Sequence, residues 1–238
     1  RILHCMQKAI KDGTPVVVLE PSCATVFRDE LVSIFPHNQD AQRLRKQTFL
    51  LSEFLNKHAP DYPRKQLNRT ALVHGHCHQK AIFQMKDEIA VLQRLGLDFH
   101  VLDSGCCGMA GAFGFEKGDH YNLSIQCGER VLLPAVRTAS PETLIITNGF
   151  SCHEQILQQA ERESFHLAQV LQLARKVGRE KTNSGAEPNT PEPAPGKGTL
   201  VAAGVALAGL AGAAGAIYLH KRSHPRTLGE RLGKMLKR

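Results

Sequence analysis

Seven cysteines, Cys5, Cys23, Cys77, Cys106, Cys107, Cys127 and Cys152, are the side chains of this 238-residue sequence best suited to chemistry. Their number is odd and two are adjacent, which does not suit a disulfide framework; in a reducing compartment such a set points to metal or redox chemistry. Cys23, Cys77, the Cys106-Cys107 pair and Cys152 each follow a short apolar run by three to five residues and precede a turn or helix start. If the runs are parallel strands, these positions gather at the carboxyl edge of a sheet, where helix amino-termini also point. That setting lowers thiol pKa values and offsets the negative charge of a thiolate-bound cluster. Cys5 and Cys127 fall inside helical patterns and read as ordinary helix cysteines, which pack as small hydrophobes.

The elements that must position these residues are legible in outline. Pro15–Leu19, Thr70–His74, Asp98–Leu102 and Thr143–Thr147 are short, continuous, β-branched or apolar runs, the pattern of strands buried on both faces of a parallel sheet. Helical periodicity covers Ala24–Ile34, Ala41–His58, Lys86–Leu95, Asn122–Arg137 and Glu154–Gln172, the last with a break near Ser164. This alternation predicts an α/β fold of parallel-sheet βα units. Val16 to Cys23 echoes Ile145 to Cys152 as strand, loop, Ser-Cys and helix. The echo predicts two pseudo-symmetric copies, the first truncated and closed by Cys23, the second carrying Cys77 to Cys152. The chain opens at Arg1 on an amphipathic pattern, Ile2, Leu3, Met6 and Ile10. This is read as an orphan helix in a portion of a longer polypeptide.

Four strings carry a resemblance: Leu19-Glu-Pro-Ser-Cys23 with its continuation to Leu31, His74-Gly-His-Cys-His-Gln-Lys80, Leu102-Asp-Ser-Gly-Cys-Cys-Gly-Met-Ala-Gly111 and Asn148-Gly-Phe-Ser-Cys-His-Glu-Gln-Ile156. In this order they resemble the cysteine-rich CCG iron–sulfur domain, over roughly Gly13 to Arg175. That domain occurs in heterodisulfide reductase and in the iron–sulfur subunits of glycerol-3-phosphate dehydrogenase and glycolate oxidase. It also ends fused FAD-binding and iron–sulfur oxidoreductases of the D-2-hydroxyacid dehydrogenase class, which these strings resemble most. The resemblance implies an electron-transfer module that passes electrons from reduced FAD, on an upstream flavin domain of the same chain, to a quinone or other carrier. It implies Cys77, Cys106, Cys107 and Cys152 as ligands of a [4Fe–4S] cluster, with Cys23 at the paired first-copy site. This portion alone then has no dehydrogenase turnover, because it offers nothing to take a hydride. One departure stands out: the general pattern ends in Cys-x-x-Cys, and here the first of those positions is Gly149, with Glu20 at the first-copy equivalent.

Other readings stay open on the residues alone. A zinc-stabilised or cluster-free scaffold that binds a partner could use the same cysteines with His74, His76 or His78. The three histidines could shuttle protons or hydrogen-bond cluster sulfurs. Gly105, Gly108 and Gly111 match no nucleotide-binding spacing, and close backbone approach to a cluster explains them.

Domain 1–178 is thus the cysteine-rich domain. A Pro/Glu/Gly-rich disordered linker over 179–198, an apolar helical segment over 199–219 and a basic tail over 220–238 follow. The apolar segment is uncharged and long enough to span a bilayer or to lie at its interface, with the basic tail on anionic lipid. From Lys181 onward there are nine Lys/Arg against three Asp/Glu, so most of the formal net charge of +8 belongs to the tail. With scarce aromatics and no Trp, the main domain is no nucleic-acid binder. The expected location is cytoplasmic, with attachment to the cytoplasmic membrane through the tail.

Overall fold

A computed structural model describes residues 1–63 and 65–183, with side chains to 177. The linker, apolar segment and basic tail expected after these residues lie outside the described part. Among the described residues no helix is long and apolar enough to cross a membrane.

In chain order the elements are α1 (Ile2–Cys5), α2 (Gln7–Asp12), β1 (Val16–Val18), α3 (Pro21–Thr25), α4 (Leu31–Ile34), α5 (Gln39–Gln47), β2 (Thr48–Leu50), α6 (Leu51–His58), β3 (Thr70–Val73), α7 (Lys86–Arg94), β4 (Asp98–Val101), α8 (Asp119–Glu129), α9 (Leu132–Thr138), β5 (Leu144–Ile146), α10 (Phe150–Ala160) and α11 (Leu167–Asn183). Wide π-helical turns follow two of the cysteines, at Val26–Glu30 after Cys23 and at Gln79–Phe83 after Cys77. The fold is mixed helix and parallel sheet, as the alternating pattern predicts. β4, β3 and β5 form one parallel sheet in that order, and β1 pairs parallel with β2.

β5 shows why a continuous apolar run suits this sheet. Its three residues are all buried, and alternate side chains leave opposite faces. Leu144 and Ile146 join one core with Leu92, Leu95 and Val170; Ile145 joins another with Leu132, Val136 and Ile156. Cys107 and Cys152 belong to that second core, so the cysteine region is built into the hydrophobic interior.

Three expectations are corrected. The helix expected over Ala41–His58 is two helices separated by β2. Thr48 turns its hydroxyl back to the Leu44 carbonyl at 2.8 Å, and Glu53 accepts from the Leu50 amide at 2.9 Å, which stops one helix and starts the next. The helix expected over Asn122–Arg137 is likewise divided, between α8 and α9. The amino-terminal helix is not an orphan. Ile10, with Leu3 and Met6 beside it, packs on Leu31, Val32, Ala41 and Leu44, and Gln47 donates to the carbonyls of Ala9 and Ile10 at 3.3 Å.

The local order around β1 recurs around β5. β1 pairs with Phe49 of β2, and β5 forms a parallel bridge to Phe165. Each partner runs straight into a helix whose third residue caps it: Glu53 accepts from Leu50 at 2.9 Å and Gln169 from His166 at 2.7 Å. β5 also pairs with β3 on its other side, whereas β1 has β2 alone as a partner among the described residues.

Candidate metal centre

The three adjacent strands of the larger sheet deliver four thiols to one edge. Past β3 the chain passes His74 and reaches Cys77 at the start of a helical turn; past β4 comes the Cys106-Cys107 loop; past β5, Cys152 lies in the first turn of α10. The strand order β4-β3-β5 makes these loops neighbours. The side chains of Cys77, Cys106, Cys107 and Cys152 interact pairwise in that order. Hydrogen bonds from Cys107 and Cys77 hold the Cys106 thiol far below the ordinary range, aided by the Gly108 amide at 3.3 Å. A hydrogen bond from Cys107, then one from His74, does the same for Cys152. Their neighbours are pushed up: Cys77 by its bond to Cys106 and then burial, Cys107 by its bonds to Cys106 and Cys152 and then burial. Four sulfurs gathered in this way form a soft-donor nest suited to a thiophilic metal or cluster.

The surroundings are arranged for such a charge. His74 is buried; its Nδ1 meets Ser104 Oγ at 2.7 Å, and its Nε2 has no hydrogen-bond partner. An orphaned buried nitrogen is costly unless something faces it, and here it faces Cys152. Lys80 donates to the carbonyls of Ser104 and Gly105, which ties the Cys77 turn to the Cys106-Cys107 loop. His76, Cys77 and His78 offer ligand atoms within 4.8 Å of one another.

The other two cysteines and Cys23 stand apart from this set. Cys5 and Cys23 are exposed, and neither is among the interacting thiols. Cys127 is half-buried on α8 and lines a cavity of about 140 Å3 with Asp103, Gly105 and Cys106.

Two carboxylates join the site from a distance. Glu20 accepts from Ser22 N at 3.3 Å and Ser22 Oγ at 2.7 Å, and its second oxygen accepts from Phe150 N at 2.7 Å, so one carboxylate caps the helices of Cys23 and Cys152 together. Glu88 is buried on α7. It accepts from Gln79 at 2.7 Å and Asn148 at 2.5 Å, which clamps the loop of Cys77 to that of Cys152. Sequence reasoning passed over Glu88, although a signal was present: it lies on the apolar stripe of α7 with Val91, Leu92 and Leu95.

Burial pushes the Glu88 carboxyl above its ordinary value of 4.5, against the two amide hydrogen bonds. The folded state therefore favours the neutral acid. The stability this acid contributes is complete below the unfolded pKa and is lost as pH rises through the folded value. Glu88→Gln keeps an oxygen for both amides and removes the titration. Its urea midpoint is expected to gain on the parent as pH rises from about 4 to about 8; a constant gap between the two would contradict this account.

Comparison with known proteins finds similarity to proteins named as dehydrogenases. It is 28% identical over 167 residues to one of the subunits of anaerobic glycerol-3-phosphate dehydrogenase from Escherichia coli, covering 67% of this chain and 41% of that protein. It is 27% identical over 173 residues to D-2-hydroxyglutarate dehydrogenase of Pseudomonas putida, covering 71% of this chain and 16% of that protein. The Escherichia coli D-2-hydroxyglutarate dehydrogenase is 25% identical over 154 residues, with 63% and 14% covered. The chain thus spans about two fifths of the first relative and about a sixth of the others. No family model matches it. No solved structure matches it.

Proposed function

We propose that this chain is the iron–sulfur electron-transfer part of a larger flavin-dependent dehydrogenase acting on a 2-hydroxyacid, with Cys77, Cys106, Cys107 and Cys152 holding a [4Fe–4S] cluster. The observation that carries this reading is the convergence of four interacting thiols at three adjacent strand ends, with the unpartnered His74 nitrogen facing them. Relatives named as dehydrogenases support it. Such a cluster supplies one-electron transfer between a two-electron donor and a downstream carrier.

The protein's own residues do the rest. Their neighbours hold the Cys106 and Cys152 thiols below the ordinary range, which favours the thiolate form that metal binding needs. His74 lies beside the Cys152 thiol, and Lys80 ties the Cys77 turn to the Cys106-Cys107 loop. Cys107 and Cys152 are buried with apolar neighbours, which keeps water from the inner side. The electron donor in this reading is FAD on an upstream domain, and the acceptor is a quinone or another carrier. The βα order shared by β1 and β5 supports two pseudo-symmetric copies, with Cys23 in the place that Cys152 holds in the second.

A second reading is favoured by the His76, Cys77 and His78 group, whose spacing suits a single ion. In it, zinc with thiolate and imidazole ligands stabilises a scaffold for a partner. Iron, acid-labile sulfide and zinc measured per chain on anaerobically purified full-length protein separate the two. Iron and sulfide in equal amounts, close to four of each for one such cluster, are the expected result. One zinc without sulfide would replace the electron-transfer reading with the scaffold.

A further inference from the structure

We propose that His76 is itself a ligand of the metal centre, binding through its imidazole beside Cys152 where the chain provides no thiol. The inference rests on the iron–sulfur reading above and specifies its donor set.

Space is the first argument. Gly149 stands between the two groups: a Cβ built on it would lie 2.2 Å from His76 Cδ2 and 3.1 Å from Cys152 Sγ. The imidazole therefore fills the volume that any side chain at position 149 would need, directly next to a sulfur of the centre. A ligand atom of His76 also lies within 4.8 Å of the Cys77 sulfur. The ring reaches thiols delivered by both β3 and β5, and it is 4% exposed.

Orientation is the second argument. His76 Nδ1 accepts from the His78 amide at 3.2 Å, so the neutral ring carries its proton on Nε2, and Nε2 faces Glu20 Oε1 at 3.9 Å. The Glu20 carboxylate is fixed by Ser22 and by Phe150 N. A histidine that binds metal through one nitrogen and presents the other N–H to a carboxylate is the usual arrangement in metal sites. Here the lone pair on Nδ1 exchanges one long amide contact for the metal.

The neighbouring histidines are placed for other roles. His74 has Nδ1 tied to Ser104 and turns Nε2 toward the Cys152 sulfur, the position of a hydrogen-bond donor. His78 is exposed at the rim. As a donor added to the four thiols, a neutral imidazole leaves the centre less negative than a further thiolate at the same place would, which gives it the higher reduction potential of the two.

The test uses full-length protein, purified anaerobically after growth on 15N-histidine or on unlabelled histidine, with pulsed electron paramagnetic resonance of the reduced centre. The expected result is the coupling of a directly bound nitrogen that changes with the isotope, survives His78→Ala and disappears in His76→Ala. Should His76→Ala hold no cluster, His76→Ala combined with Gly149→Cys decides the matter. Removing the ring opens room for the new side chain, and iron and sulfide are expected to return without nitrogen coupling and with a lower midpoint potential. Iron and sulfide present without bound histidine nitrogen, coupling that survives His76→Ala, or a double variant that stays empty each overturn the proposal and leave the electron-transfer reading intact. Absence of iron and sulfide from the parent protein overturns both.

Discussion

Cys152→Ser is expected to remove nearly all iron and acid-labile sulfide from the protein while leaving it folded. The position is closed to solvent: Cys152 is 1% exposed, packed with Ile145, Ile156 and Cys107 in the core beneath the centre. Its sulfur ends the line of interacting thiols from Cys77 through Cys106 and Cys107, and its neighbours lower its pKa. A serine hydroxyl has nearly the same size but does not ionise near neutral pH and is a poor ligand for soft metals. Burying it costs about 1–3 kcal/mol unless it finds a partner, and His74 Nε2 is at hand to provide one. Loss of metal with a modest fall in the unfolding midpoint is therefore the expected pair of results. Cys5→Ser, at an exposed position on α1, serves as the control and should keep both iron and sulfide. Retention of the full iron content by Cys152→Ser would remove this residue from the donor set.

The sequence carried more of the strands than of the carboxylates, for a physical reason. β1, β3, β4 and β5 announce themselves in a few residues as short β-branched or apolar runs, although only β5 is buried along its whole length and β1, β3 and β4 each keep an exposed residue. β2 does not: Thr48-Phe49-Leu50 joins two helices whose apolar stripes run on through it, and only the pairing with β1 makes it a strand. The cysteines of the second sheet were legible because each directly follows a strand, and parallel strands in one sheet end at one edge. The groups that hold those loops together come from far along the chain. Glu20 reaches Phe150 across 130 positions and Glu88 reaches Asn148 across 60, and no local pattern encodes such a pairing. The displacement of a side chain at 149 by the His76 ring belongs to the same class. A glycine is visible in sequence, but what occupies its space is not.

Gly108→Ala is expected to be among the most destabilising single-methyl changes in the chain, at roughly 3–5 kcal/mol. Two costs coincide at this position. Its φ of +99° lies where L-residues are strained, a penalty of about 1–3 kcal/mol. The added Cβ would also stand 2.0 Å from the Ser124 carbonyl oxygen and 2.8 Å from its carbon. Those atoms belong to the backbone of α8, so no rotamer change relieves the contact. The loop and the helix must separate, and the loop is the one that carries Cys106 and Cys107. Separation would undo the Gly108 amide bond to Cys106 at 3.3 Å and the Gln155 bond to the Ser124 carbonyl at 3.1 Å. Stability and metal content should therefore fall together in Gly108→Ala, in contrast to Cys152→Ser, where metal is lost and the fold persists. Gly105→Ala gives the comparison within the same loop: its φ is not positive and a Cβ there meets nothing within 4 Å. It should cost little by either measure. Chemical denaturation of the three variants, with iron assayed on the same samples, checks the contrast. Equal costs for Gly105→Ala and Gly108→Ala would show that loop entropy, rather than contact with α8, fixes the Cys106-Cys107 turn.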